Sequence, residues 1–209
     1  REKVICEFHL PRELKIKPSP WGPDDQIGRL NWITDSSRQK VMESLDPSKS
    51  YDISVKYFMG MPSWSAAGDP PFQIWMTHTP TGNVNDGLLN VSMAGKKLIG
   101  YSGDAISMYT HCGTHIDTLN HFGYQDQVWN GYNQAEHLGS RHWMKCGAEQ
   151  FPIICARAIL LDVAKAKGVD RLPTSYGIGK EDLQLAMSLQ NVSIEQGDIV
   201  MIRTGMMTV

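Results

Sequence analysis

Residues 110–122 read Thr-His-Cys-Gly-Thr-His-Ile-Asp-Thr-Leu-Asn-His-Phe, and no other segment constrains the chain as much. Three of the seven histidines fall within eleven residues, with an aspartate among them. His111, His115, Asp117 and His121 are separated by even intervals, so an extended chain would project all four to one side. A straight strand nevertheless cannot bring them to one ion. From His111 to Asp117 it would span roughly 20 Å at about 3.3 Å per residue, while ligand bonds to zinc are about 2 Å long. The backbone has to bend between the histidines. Gly113 is the residue that permits it, because a glycine tolerates backbone angles closed to other residues. A helix would align His111 with His115 but turn Asp117 away.

Two imidazoles and a carboxylate suit zinc, manganese or iron(II). Three protein ligands, His111, His115 and Asp117, leave positions for water and substrate. Such a metal lowers the pKa of bound water toward ~7 and polarises carbonyls. His121 follows four residues later, and an unperturbed histidine pKa of about 6.5 suits a general acid or base.

The remainder of the chain sets limits. Its 209 residues suffice for one domain with a substantial core, and we read 1–209 as a single domain. A formal net charge of −2 gives no footprint for nucleic acid or an anionic membrane. No apolar run approaches the ~20 residues of a membrane span, and no signal peptide opens the chain. Cys6, Cys112, Cys146 and Cys155 form no C-x-x-C pair, which favours free thiols in a reducing, cytoplasmic compartment. Abundant glycine and sparse helical periodicity point to a loop-rich, mixed or mainly β fold. Strands are expected at 51–55, 73–78, 104–110, 153–163 and 198–203, and helices at about 36–45 and 179–189. Residues 79–87 read as a turn-rich flap and 122–150 as irregular. Because the 198–203 strand lies six residues from the end, the chain reads as truncated, with further site residues expected beyond Val209.

The pattern H-x-G-T-H-x-D-x-x-x-H, carried by His111, Gly113, Thr114, His115, Asp117 and His121, resembles the signature of the cyclase family of metal-dependent hydrolases. That family includes bacterial kynurenine formamidase, isatin hydrolase and trans-dienelactone hydrolase. Leu119 stands where the family often has proline, a change in loop rigidity and not in ligand atoms. Residues 21–31, Gly60-Met61-Pro62 and 197–205 also resemble family segments. The resemblance implies an α/β, β-rich swivelling β/β/α domain that hydrolyses a small amide, lactam or lactone. It implies metal ligation by His111, His115 and Asp117, with His121 as the catalytic acid/base. It implies zinc or manganese as cofactor, and a homo-oligomer. Two-metal members use a further histidine and glutamate near the C-terminus.

Trp64, Phe72, Trp75, Trp129 and Tyr132 are candidate walls of a substrate pocket, weighed against the ordinary use of aromatics as core. His78, His137 and His142 read as hydrogen-bonded structural histidines, and Cys112 as a packing residue. Asp24 and Asp25 read as turn caps. Two rivals stand beside the hydrolase. One is an iron-dependent oxygenase using the same two-histidine, one-carboxylate set. The other is a non-enzymatic binding protein that retains the fold.

Overall fold

The computed structural model describes residues 16–87 and 100–207; Cys6 lies outside them. In chain order its regular elements are α1 (Asp35–Ser44), β1 (Gln73–His78), α2 (Pro80–Asn85), β2 (Gly103–Ser107), α3 (Gln134–His137), β3 (Ala158–Asp162), α4 (Val163–Ala166), α5 (Lys180–Gln190) and β4 (Ile199–Arg203). They fall in two compact units: one is Ser48–Asp117, and the other combines Arg1–Pro47 with Thr118–Val209.

In the larger unit β3 and β4 pair in parallel, from Ala158↔Ile199 to Asp162↔Arg203. Parallel neighbours need a crossover connection, and α4 and α5 supply it. The apolar side of these helices meets the strands in a core of Leu161, Val163, Ala164, Leu172 and Ala186, with Ile159, Leu183 and Met187 packed around it. Asp162 ends β3 and caps α4, accepting from the Lys165 amide at 2.9 Å and from Arg203 Nη1 at 2.8 Å. Helix α5 starts at Gly179 and stops where Asn191 turns left-handed at φ 51°. This matches the expected helix within a residue. Of the expected strand 153–163, only 158–162 pairs, and Ile153 stands 82% exposed.

Helix α1 lies where the sequence places it, but its cap is Thr34 and not the following Asp-Ser-Ser. Thr34 Oγ1 accepts from the Ser37 amide at 3.2 Å, and the Thr34 amide donates to Ser37 Oγ at 2.8 Å. Residues 122–150 are irregular as expected except for the single helical turn α3, capped by Asn133. They are held by 3₁₀ turns at Trp129–Gly131 and Ala148–Gln150, and by a cluster of Val128, Tyr132 and Cys146.

The smaller unit contains β1 and β2, paired antiparallel with a register shift between Met76 and His78. Two expectations are corrected here. Residues 51–55 form no strand, because Asp52 Oδ1 captures both the amide and the hydroxyl of Ser54, at 2.9 and 2.6 Å. Such local bonds compete with a ladder. The 79–87 flap is in fact helical over Pro80–Asn85. Thr79 accepts from the Gly82 amide at 3.0 Å, and Pro80 occupies the first turn, where its missing N–H costs nothing. No helix among the described residues is long and apolar enough to cross a membrane. Cys112, Cys146 and Cys155 are all unpaired thiols.

The N-terminal turn of the larger unit is organised by one buried carboxylate. Asp25 accepts from Ser19 Oγ at 2.6 Å, Asn31 Nδ2 at 2.7 Å, Trp129 Nε1 at 2.9 Å and the amides of Ile27 and Gly28 at 3.2 Å. Burial pushes its pKa up. The hydrogen bonds from Ser19, Trp129, Ile27 and Asn31 more than offset this and hold it below the ordinary carboxylate value. A depressed folded-state pKa stabilises above the unfolded value and is lost as pH falls through the folded one. Thermal unfolding should therefore show wild type losing stability below pH ~4. Asp25→Asn should be about 1.5–3 kcal/mol less stable at neutral pH and should flatten that acid limb. In the parallel-sheet core, fully buried Leu161 is expected to cost about 2–5 kcal/mol on replacement by alanine, read from urea denaturation.

Candidate metal centre

Strand β2 ends at Ser107, and the chain then enters the histidine segment. Residues 63 and 112 form an isolated antiparallel bridge, and the Trp64 amide donates to the His111 carbonyl at 3.1 Å. The side chain of Cys112, 1% exposed, points into a cluster with Met61 and Phe72. Neighbouring residues in an extended chain face opposite ways, so anchoring Cys112 inward turns His111 outward. At Gly113 the backbone adopts φ +64°. A side chain there would also be obstructed: a Cβ would lie 2.8 Å from Tyr57 Cζ and 3.0 Å from Met61 Cε.

This bend brings the three predicted ligands together. His111, His115 and Asp117 each present one ligand atom, all within 4.8 Å of one another. Asp117 Oδ1 lies 3.6 Å from His111 Nε2 and 3.5 Å from His115 Nε2. Ligand bonds of about 2.0–2.1 Å at tetrahedral angles separate donor atoms by about 3.3–3.4 Å. The two distances to Asp117 are therefore close to what a single small ion requires. The two imidazole rings meet edge-on, with centroids 4.8 Å apart at 77°.

Hydrogen bonds orient both rings. His115 Nδ1 lies 2.9 Å from the Gly113 carbonyl oxygen. A carbonyl only accepts, so the proton sits on Nδ1 and Nε2 presents its lone pair. His111 Nδ1 lies 3.2 Å from that Nε2. A proton on His111 Nδ1 would satisfy this contact by donating to the His115 Nε2 lone pair, and would leave His111 Nε2 unprotonated. An ion held by His111, His115 and Asp117 would replace that contact and take the His115 Nε2 lone pair itself. The carbonyl behind His115 fixes tautomer and ring orientation, as outer partners of metal-bound histidines ordinarily do.

The other predicted residues are placed as follows. His121 belongs to the larger unit, donates its amide to the Thr118 carbonyl at 2.9 Å, and lines a cleft of about 200 Å³ with Asn120, Gln127, Gln134 and Trp143. Trp64 is 57% exposed. It neighbours bridged Ser63 as His111 neighbours Cys112, so the two side chains share a face. Trp75 is half exposed on β1. Phe72 is buried with Met61 and Cys112 beneath the histidine segment. Tyr132 is buried in the larger unit, with its hydroxyl donating to the Pro23 carbonyl at 3.1 Å, and Trp129 packs beside it. Among the described residues, His78, His137 and His142 join no ligand group. His137 Nδ1 instead lies 3.2 Å from the Asn133 carbonyl oxygen, and His78 meets Tyr101 edge-on. Tyr57 and Tyr109 escaped the sequence reading. Tyr109 lies against the His111 ring at 5.0 Å, and Tyr57 reaches the segment from 57 residues away. No local spacing signals Tyr57, whereas Tyr109 stands two residues before His111, an even interval like those of the motif.

Comparison with known proteins supplies a family and a fold. The model of the Cyclase family, described as "Putative cyclase", matches residues 51–209. The chain therefore belongs to the cyclase family. A crystal structure described as a novel cyclase superposes with a TM-score of 0.75 at 28% identity, covering 88% of this chain and 60% of that one. The chain thus spans about 60% of the length of that neighbour and shares its mixed α/β fold. No curated protein matches.

If these three residues hold the ion, Asp117→Ala and His115→Ala should each abolish near-stoichiometric zinc or manganese binding, measured by plasma mass spectrometry after reconstitution and desalting. Gly113→Ala should lose at least about 1 kcal/mol in chemical denaturation, because its φ is left-handed, and should bind metal more weakly.

Proposed function

We propose that the chain is a metal-dependent hydrolase that adds water to the carbonyl of a small amide, lactam or lactone. The observation that carries this reading is the convergence of His111, His115 and Asp117 in a chain of the cyclase family. A divalent ion held there, zinc or manganese, would supply a Lewis acid for water activation and carbonyl polarisation.

The protein's own groups have separable roles. The Asp117 carboxylate offsets part of the ion's charge, while the two imidazoles add none. Side-chain exposures of 20% for His111, 32% for His115 and 51% for Asp117 leave the ligand set accessible to a small substrate. Trp64, on the same face as His111, offers a flat apolar surface for the body of the substrate. His121 takes a proton from the attacking water and delivers it to the leaving nitrogen or oxygen. In a lactam or lactone that leaving atom stays tethered, so ring opening yields one product carrying both the new carboxylate and the freed amine or hydroxyl.

His121→Ala should lower kcat by about 10²–10⁴-fold on a lactone or lactam substrate and leave metal content unchanged. Turnover should proceed anaerobically with zinc or manganese. Activity that requires both iron and oxygen would instead support an oxygenase. Unchanged turnover in His121→Ala would remove that residue from the mechanism.

A further inference from the structure

We propose that Tyr57 is a positioning residue of the metal site, acting through the peptide between Thr114 and His115. The proposal rests on the His111/His115/Asp117 reading and extends it to a residue outside the ligand motif.

The Tyr57 hydroxyl donates to the Thr114 carbonyl oxygen at 2.6 Å. Two residues earlier, the Val55 amide donates to Thr114 Oγ1 at 3.0 Å. The segment 55–57 therefore grips Thr114 by both its side chain and its backbone. The Tyr57 ring lies against Gly113, where a Cβ would stand 2.8 Å from Cζ and 3.1 Å from Cε1. Its other side packs on buried Phe72, with centroids 5.4 Å apart at 54°. Phe72 in turn shares a cluster with Cys112. Tyr57 is thus braced against the same core that turns His111 outward.

Position follows from the planarity of the peptide bond. The Thr114 carbonyl and the His115 amide belong to one rigid plane. Holding the oxygen of that plane fixes the His115 nitrogen, and with it the direction in which the imidazole leaves the backbone. The preceding carbonyl, of Gly113, is already committed to His115 Nδ1 at 2.9 Å. Each of the two peptides before His115 therefore has a defined partner, and Tyr57 is the one that comes from a distant part of the chain. Tyr57 is 39% exposed, so water can replace its hydrogen bond at little cost to folding. Its contribution is orientation of a ligand more than stability of the unit.

The test is a zinc titration of metal-stripped protein by chelator competition, repeated with manganese, in wild type and Tyr57→Phe. The thermal midpoint of each apo-protein is measured in parallel. Phenylalanine keeps the ring and deletes only the hydroxyl. The expected result is a rise in zinc Kd of about tenfold, within the range for outer partners of metal ligands, with the apo midpoint little changed. A Kd within twofold of wild type would overturn the proposal, whether or not the midpoint falls. Thr114→Val, which removes the acceptor for the Val55 amide, loosens the same peptide and should raise Kd several-fold. It carries the test if Tyr57→Phe does not fold, and an unchanged Kd there would likewise overturn the proposal. Failure of wild type to bind either ion would overturn the metal-site reading and this proposal with it, an outcome distinct from equal binding by wild type and variant.

Discussion

The bend at Gly113 is the constraint on which the functional reading depends. His111 and His115 lie on either side of it, and the Asp117 carboxylate meets both imidazoles at about the spacing one small ion requires. The bend is possible because Gly113 accepts φ +64°, and it is kept because neighbouring groups fill the space around it. Cys112 sinks into the cluster with Met61 and Phe72 on one side, and Tyr57 closes over the other. A buried thiol next to a candidate ligand serves here as an anchor: its burial decides which way the adjacent imidazole faces.

The larger unit solves a separate problem. Its parallel pair, β3 and β4, needs helices against it, and α4 and α5 bury Val163, Ala164 and Ala186 against Leu161. Its N-terminal turn is held by polar forces, with Asp25 collecting donors from a turn, a nearby asparagine and a tryptophan more than a hundred residues away. A buried carboxylate is tolerable only when it is so fully bonded. Two candidate substrate aromatics, Trp129 and Tyr132, are engaged here: one donates to Asp25 and the other to the Pro23 carbonyl.

Membership in the cyclase family supplies the context in which three convergent donors read as an enzyme site. The choice of a carbonyl as the bond attacked, of zinc or manganese as the ion, and of His121 as proton carrier remains our proposal. Each rests on chemistry that the residues can perform: a carboxylate that moderates charge, imidazoles that ligate without adding any, and a further imidazole able to carry a proton.

The candidate metal group and the need for a bend were legible in the sequence alone, because both follow from residue types at fixed short spacings. The bounds of α1, β1, α5 and β4 were legible to within a residue or so from local residue patterns, although the cap of α1 is Thr34. The sequence alone misread 51–55, where alternation promised a strand but Asp52 and Ser54 close a local turn. It misread 79–87, where turn-forming residues concealed the Thr79 cap and Pro80 of a helix. Only the tertiary structure could decide that Phe72 lies beneath the histidine segment, that Trp64 shares a face with His111, and that Tyr57 holds the Thr114 peptide. Those facts depend on pairing between residues about 40 to 60 positions apart, and such pairing is settled by the burial of whole segments, which no local pattern encodes.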